Sequence, residues 1–445
     1  MTETKEKEDK MNIHSIKLNN FRGFNDISLE LNGQTTVLYG VNGVGKSSIL
    51  RAIDLVYASI IGRLMNKKRL LAELSVDDIH YNKAFARTEI AFELDSELLS
   101  YSRKIDIDGN KTHKKKNIDL IVDAFRKKYI GVSEVDEDGN IIHDKPDSSM
   151  PIFANYGVNR LVIDVPVLND TRNYQRIDAF ENAIESRIDF KSFFSWFKQK
   201  EDLENEMVAQ FKGRKIENVS LPILDAVRRA MLAMFPEFDS VRFDRAQNEF
   251  VFEKNGARLN INQLSDGEKC TIALFGDIAR RMAIANDGYY DDPLLVGGVV
   301  LVDEVDLHLH PLWQRDIIGK LRNTFPNIQF ILTTHSPQVL GGLSDDVVVY
   351  AIKELNGSIK AEKMPSFYGW DTNIILEEGM NTPRVAAEMK EHIDNMYSLY
   401  DNGEYDEAEK EADWIDAKTA GHNDCVSGMR VMISRRRRLQ NSEKN

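Results

Sequence analysis

Cysteine is nearly absent: the 445 residues contain two, Cys270 and Cys425. A disulfide framework is excluded, as is a paired-cysteine metal knuckle, and a reducing, cytoplasmic setting is expected. Long apolar runs are also missing. The longest, Leu294 to Val302, has nine residues, where a membrane-spanning helix needs about 20, so no span is expected. Met1 to Lys10 is polar and of mixed charge, without the apolar stretch of a secretion signal. Nor is there a surplus of positive charge. The 58 Lys and Arg against 71 Asp and Glu give a net charge of −13, so any phosphate contact must come from a local patch. What remains, 42% hydrophobic and 29% charged residues, is the balance of a folded chain. The length suits two or three domains at roughly 150 residues each.

Residues 12–39 carry short alternating apolar runs broken by Asn32-Gly33, the pattern of hairpins. Thr35 to Tyr39 reads as a buried strand that enters Gly40-Val41-Asn42-Gly43-Val44-Gly45-Lys46-Ser47, and Ser48 to Ile61 then reads as a helix. This is the pattern G-x-x-x-x-G-K-[ST] in its required strand, loop and helix context. Glycines let the backbone approach phosphate closely, and the helix N-terminus offers free N–H groups. Lys46 is expected to neutralise the β- and γ-phosphates, and the Ser47 hydroxyl to ligate Mg²⁺. Asn42, Gly43, Gly45, Lys46, Ser47 and Ser48 are the expected ATP contacts of this loop.

A second apolar strand, Gly298 to Val302, runs into Asp303-Glu304. Two carboxylates at the end of a buried parallel strand stand where α/β nucleotide sites form. Asp303 is assigned to the metal shell and Glu304 to the attacking water, since hydrolysis needs phosphate charge neutralised and a base in place. Gln263 to Lys269 precedes a helix and resembles the signature sequence of ABC ATPases, with Ser265, Gly267 and Glu268 expected at ATP. As plain local structure, Ser265 with Glu268 is also a helix capping box, and the two readings coexist. Phe330 to Pro337 predicts a neighbouring strand that ends at His335, the position of a histidine that contacts γ-phosphate and the base. His308 and His310 look like a metal pair, yet no further ligand cluster accompanies them, so zinc is not expected.

Taken together, Asn20-Phe21-Arg22-Gly23-Phe24, the phosphate loop, the Ser265-Asp266-Gly267-Glu268-Lys269 signature, Val302 to Pro311 and Thr333 to Pro337 resemble the RecF/SMC-like branch of ABC ATPases. These motifs occupy residues 12–50 and 263–337, so the resemblance is specific at both ends and weak between them. It implies an α/β fold: an ABC-type P-loop ATPase head with an antiparallel β subdomain, a short helical insertion and a small helical C-terminal region. It implies too that Arg22 lies near the nucleotide phosphates and that two heads close around two ATP–Mg²⁺. Phe153 to Arg160 falls where a coupling loop would sense γ-phosphate, though the usual glutamine is missing there.

The expected divisions are a disordered N-terminus over 1–11, the first half of the head over 12–160 and a helical insertion over 161–245. The second half of the head follows over 246–365 and a helical partner-binding region over 366–445. The insertion is too short for a chromosome-type coiled-coil rod. After Leu340 about 105 residues remain, too few for an appended Toprim nuclease, so no nuclease activity is expected of the chain itself. Compact head and short helical end are similar to the ATPase subunits of Septu anti-phage systems, also found beside some retrons. That resemblance implies a slow, regulatory ATPase that controls a separate HNH endonuclease, with DNA contacted only indirectly. The alternative is a RecF-like ATP-dependent DNA clamp for repair. Eight acidic residues and one lysine between Asp401 and Asp416, then Arg435 to Arg438, are either solvated faces or electrostatic docks. Lys111 to Lys116 reads as a basic hairpin tip or a DNA contact.

Overall fold

A computed structural model of the chain describes residues 11–67, 72–94, 97–113, 115–131, 133–135, 141–143, 146, 148–159, 172–184, 190–210, 220–286 and 288–442. The described residues fall into two compact units, divided after Trp370. The expected N-terminal tail, apart from Met11, lies outside the described residues.

At the centre of the first unit is a six-stranded sheet in the order Ser358–Met364, Val348–Leu355, Thr36–Tyr39, Ile328–Thr334, Gly298–Val302 and Ile152–Tyr156. All neighbours run parallel except Ser358–Met364, which returns antiparallel. The strands Thr36–Tyr39, Gly298–Val302, Ile328–Thr334 and Ile152–Tyr156 are buried at every residue. That is why they read as largely apolar runs instead of alternating ones: both faces of a parallel sheet are covered. Register sets Thr334 beside Tyr39 and Val302 beside Tyr156. The loops that follow these strands therefore leave from one edge, the C-terminal edge where ligands of open α/β sheets bind.

Two long helices are enclosed by the head. Lys46–Leu64 follows the phosphate loop, and Asp266–Asn286 is buried at all but two of its positions, Asp266 and Lys269. A five-stranded antiparallel sheet, in the order Phe24–Glu30, Asn12–Phe21, Phe85–Leu94, Glu97–Asp106 and Lys111–His113, forms the β subdomain. It is pinned to the central sheet by the Gln329 side chain, which accepts from Ile13 N at 2.7 Å and donates to Ile13 O at 3.0 Å.

Two expectations need correction. The lysine-rich segment is not a hairpin tip: the turn is Ile107 to Asn110, Lys111–His113 is a strand, and Lys115 already begins the helix Lys115–Phe125. Lys114 lies outside the described residues. The 161–245 segment is not wholly helical either. It holds the helices Phe190–Gln210 and Pro222–Leu232, but Phe238–Asp244 is a strand that pairs with Glu249–Lys254. Val241 and Phe243 are buried on either side of exposed Arg242, so burial there alternates as in a strand, with a register shift between Phe238 and Ser240.

The second unit, from Asp371, is built of the helices Ala387–Asp401, Tyr405–Thr419 and Asp424–Ser442 around Met396, Ala408, Ala412, Ile415, Val426, Met429 and Ile433. Here the acidic and basic blocks answer one another. Arg430 pairs with Asp413 and Asp416, and Arg437 with Asp406 and Glu409.

Candidate functional site

The phosphate loop bends between Tyr39 and Lys46 on left-handed glycines. Gly45 has φ +95°, and a Cβ there would come within 2.8 Å of the Phe24 ring, so the position requires glycine twice over. The helix that starts at Lys46 has no acidic residue in its first turn, leaving its N-terminal N–H groups suited to an anion. Lys46 is 5% exposed. Its Nζ donates to Gly40 O and Val41 O, both at 3.0 Å, and stands 3.5 Å from His335 Nδ1. Burial pushes this ammonium down, and the carboxylates of Asp303, Glu304 and Asp306 pull the other way. Asn42, Gly43 and Ser47 are exposed at the mouth of the loop, and Ser48 is half-buried.

Opposite the lysine, the acidic strand ends in a network that runs through Thr333. The Thr333 hydroxyl donates to Asp303 Oδ1 at 2.5 Å and accepts from Glu304 N at 2.7 Å. Glu304 itself has φ +49°, a left-handed backbone that costs on the order of 1–3 kcal/mol and persists only where surroundings enforce it. Its Oε1 is 3.8 Å from His335 Nε2. Burial, followed by the nearby Lys46 charge, pushes the His335 imidazole down. The ring is therefore neutral at pH 7. Thr334 extends the pattern by donating to Asp306 at 2.6 Å. Lys46, His335 and Glu304 thus stand in file across three adjacent strand ends, with Asp303 beside them. Hydroxyl and carboxylate oxygens at Ser47 and Asp303 are the hard donors that suit Mg²⁺.

Arg22 sits in a turn with φ +49°. Its Nε donates to Asp78 Oδ1 at 2.8 Å, and its Nη1 reaches Ser48 Oγ at 3.5 Å. Asp78 is buried and also receives Arg51 Nε at 3.3 Å. Burial would raise this carboxyl, but the bonds from Arg22, Ser75 and Arg51 outweigh it and hold it below the usual carboxylate range. The backbone of Arg22 is gripped as well, by Arg22 N to Asp78 O at 2.8 Å and His80 Nδ1 at 2.6 Å from Arg22 O.

At the signature, Ser265 and Asp266 are exposed while Gly267 and Glu268 are buried. Glu268, expected at ATP, is turned inward instead. Its Oε2 accepts from Ser265 N and Ser265 Oγ, both at 2.8 Å, and its Oε1 accepts from Lys254 Nζ at 2.6 Å. An acid so engaged caps its helix, and a second anion beside it would be repelled. Gly267 packs on the loop after Glu304: a Cβ there would lie 2.3 Å from His308 O. The signature helix and that loop therefore form one surface. His308 serves it through a left-handed backbone, φ +63°, and His310 caps the helix Pro311–Thr324. Of the expected coupling loop, Ile152 to Tyr156 is the buried edge strand of the central sheet and Gly157 to Asn159 follow it, with Arg160 outside the described residues.

Asp78 and Thr333 carry much of this arrangement; no motif contains Asp78, and Thr333 entered only as part of the strand that ends at His335. The two threonines before His335 were the one available signal, as hydroxyls at the end of the apolar run Phe330 to Leu332. No local pattern marks Asp78.

Phosphate loop, acidic strand, signature helix and strand-end histidine on one parallel sheet define an ABC-type P-loop ATPase head. The chain belongs to the family described as "AAA domain, putative AbiEii toxin, Type IV TA system", whose model matches residues 35–341. Among its relatives is the "Retron Ec83 probable ATPase" of Escherichia coli, 27% identical over 387 residues that cover 74% of this chain and 69% of that protein. The Septu protein PtuA of Bacillus thuringiensis is 23% identical over 406 residues, 85% of this chain and 86% of that one. Among solved structures, an SMC head bound to the C-terminal winged-helix domain of ScpA aligns with a TM-score of 0.47 at 16% identity, covering 80% of this chain and 98% of that one. The chain is an ATPase related to PtuA and the retron ATPases. None of the helices among the described residues is long and apolar enough to cross a membrane.

Proposed function

We propose that the chain is an anti-phage defence ATPase whose heads pair around ATP and Mg²⁺ and thereby control an associated HNH nuclease. One observation carries the hydrolytic part: Lys46, His335 and Glu304 are lined up at 3.5 Å and 3.8 Å across the strand ends. In this reading Lys46 leaves the carbonyls of Gly40 and Val41 for the β- and γ-phosphates. Water attacks γ-phosphorus, the bond to the bridging oxygen breaks, and Glu304 takes the water's proton. His335, whose Nδ1 faces the lysine, keeps its proton on Nε2 and donates it toward Glu304 or a γ-oxygen. Mg²⁺ held by Ser47 and Asp303 would neutralise phosphate charge.

Pairing of heads is supported by the exposure of Ser265 on the surface that Gly267 and His308 share, since a helix N-terminus there offers N–H groups to an anion from outside. The nuclease partner is supported by the relatedness to a Septu protein and retron ATPases. Glu304→Gln tests the pairing. With ATP, this variant should elute as a stable larger assembly in size-exclusion chromatography, and unchanged elution would sink the paired-head mechanism. Purification of the tagged chain from its own locus tests the partner: a stoichiometric HNH protein is expected, whereas the chain alone with bound DNA would favour a repair clamp.

A further inference from the structure

The signature helix Asp266–Asn286 carries a buried charge cluster eleven residues from its start, roughly 16 Å along its axis at 1.5 Å per residue. Asp277 and Tyr156 are fully buried, and Arg280 and Arg281 are each 1% exposed. Arg280 reaches Asp277 Oδ1 through Nη2 at 2.7 Å and Nε at 3.0 Å, while Arg281 Nε donates to Oδ2 at 2.8 Å. Burial alone would raise the Asp277 carboxyl, but Arg281 and Arg280 hold it well below its ordinary range. The same Oδ2 accepts the Tyr156 hydroxyl at 2.8 Å, across 121 residues of sequence. Two guanidiniums against one carboxylate leave a surplus positive charge at this cluster, and among the described residues Arg280 Nη1 has no hydrogen-bond partner. Such a cluster is a poor source of stability, since an apolar filling of equal volume packs as well without desolvating charge.

Its connections suggest another use. Tyr156 is the last residue of its strand, and its carbonyl accepts from Asp303 N at 2.8 Å. Arg281 continues beyond Asp277 to Ala179 O at 2.7 Å and Glu181 O at 2.9 Å. In the same segment Ala183 O accepts from Asn155 N at 2.9 Å. The strand end next to Asp303 is thus held by the signature helix twice, through the Tyr156 side chain and through the backbone of the preceding residue.

We infer that Tyr156 is a positioning residue that couples the signature helix to Asp303, so that engagement of the Ser265 end by a second head sets the hydrolytic carboxylates of its own head. This rests on the reading of the site as an ATPase completed by a second copy. The helix is buried at all but two of its positions, which ties its two ends together, and the charged contact at Asp277 has a direction that an apolar contact lacks.

The test uses the full chain. Tyr156→Phe keeps the ring and removes the hydroxyl. Turnover per titrated ATP-binding site should fall at least tenfold, while KM for ATP stays within twofold. A merely structural role would reduce the number of binding sites and leave turnover per site unchanged, and that result overturns the inference. Lys46→Ala serves as the control on the underlying reading. If it retains turnover, site and inference fall together; if it loses turnover while Tyr156→Phe behaves as wild type, the coupling alone is wrong. Should the phenylalanine variant fold poorly, the unaltered chain decides by amide exchange. Protection of residues 176–184 should rise with ATP and Mg²⁺, and unchanged protection there overturns the coupling.

Discussion

The Thr333 hydroxyl donates to Asp303 at 2.5 Å, and the same oxygen accepts the backbone N–H of Glu304 at 2.7 Å. One side chain on a neighbouring strand thereby aims the first carboxylate and anchors the left-handed residue that bears the second. Both assignments depend on a residue that contributes no charge.

Thr333→Val keeps the volume and removes this junction. The unmade hydrogen bonds should cost about 1–3 kcal/mol of stability, and displaced carboxylates should lower ATP turnover by roughly 100-fold. Thr333→Ser should retain most activity. Denaturant unfolding and steady-state hydrolysis measure both; wild-type turnover in the valine variant would show that the carboxylates orient themselves.

Gly267→Ala places a methyl 2.3 Å from His308 O, which is backbone and cannot rotate away. The signature helix must shift from the loop after Glu304, at a cost of about 1–3 kcal/mol for overpacking. Binding of ATP to the phosphate loop should survive while ATP-induced assembly and turnover fall. An alanine variant with normal assembly would mean that this contact is dispensable.

Asp78→Asn removes the buried anion between Arg22 and Arg51. Each guanidinium is about one-third exposed, so water compensates in part, and the loss should be about 1–3 kcal/mol. Arg22 then loses its orientation toward Ser48, and KM for ATP should rise. The Asp78 carboxyl is held below its ordinary value of 3.8, so its stabilising contribution is complete above that pH and disappears as the pH falls through the lowered value. Wild-type stability should therefore fall more steeply below pH 4 than that of the asparagine variant, and equal slopes there would show that the Asp78 carboxyl is not held low.

His335 supplies a second pH dependence. Its imidazole lies below the ordinary value of 6.5, so below pH 6.5 the unfolded chain takes up a proton that the folded chain resists. Stability contributed by the neutral ring is present above pH 6.5 and lost as the pH falls toward the lowered value. Urea midpoints between pH 7 and pH 5 should drop further in wild type than in His335→Asn; parallel curves would show that Lys46 and burial do not depress the ring.

Much of the site could be read along the chain because each piece is local. An apolar run with both faces covered has one meaning in an α/β protein, and the polar residues that end it, Lys46 after its glycines, Asp303-Glu304 and His335, stand at the ligand edge by necessity. Glu268 shows the limit. Its place in the signature suggested ATP, but its carboxylate is taken up by Lys254 from the strand Glu249–Lys254 and by Ser265, a pairing that the signature alone does not announce.

The sequence by itself determined the class of chemistry: glycines permitting a phosphate loop, a lysine to meet negative charge and carboxylates at a strand end. Tertiary structure decided which of these groups meet. Strand order set Thr36–Tyr39 between segments about 300 residues away, and register then placed Thr333 under Asp303 and Tyr156 beside Asp303. Pairings such as Arg22 with Asp78 or Tyr156 with Asp277 leave no local pattern, because a hydrogen bond between distant segments depends on how strands and helices stack and not on the residues adjacent in sequence.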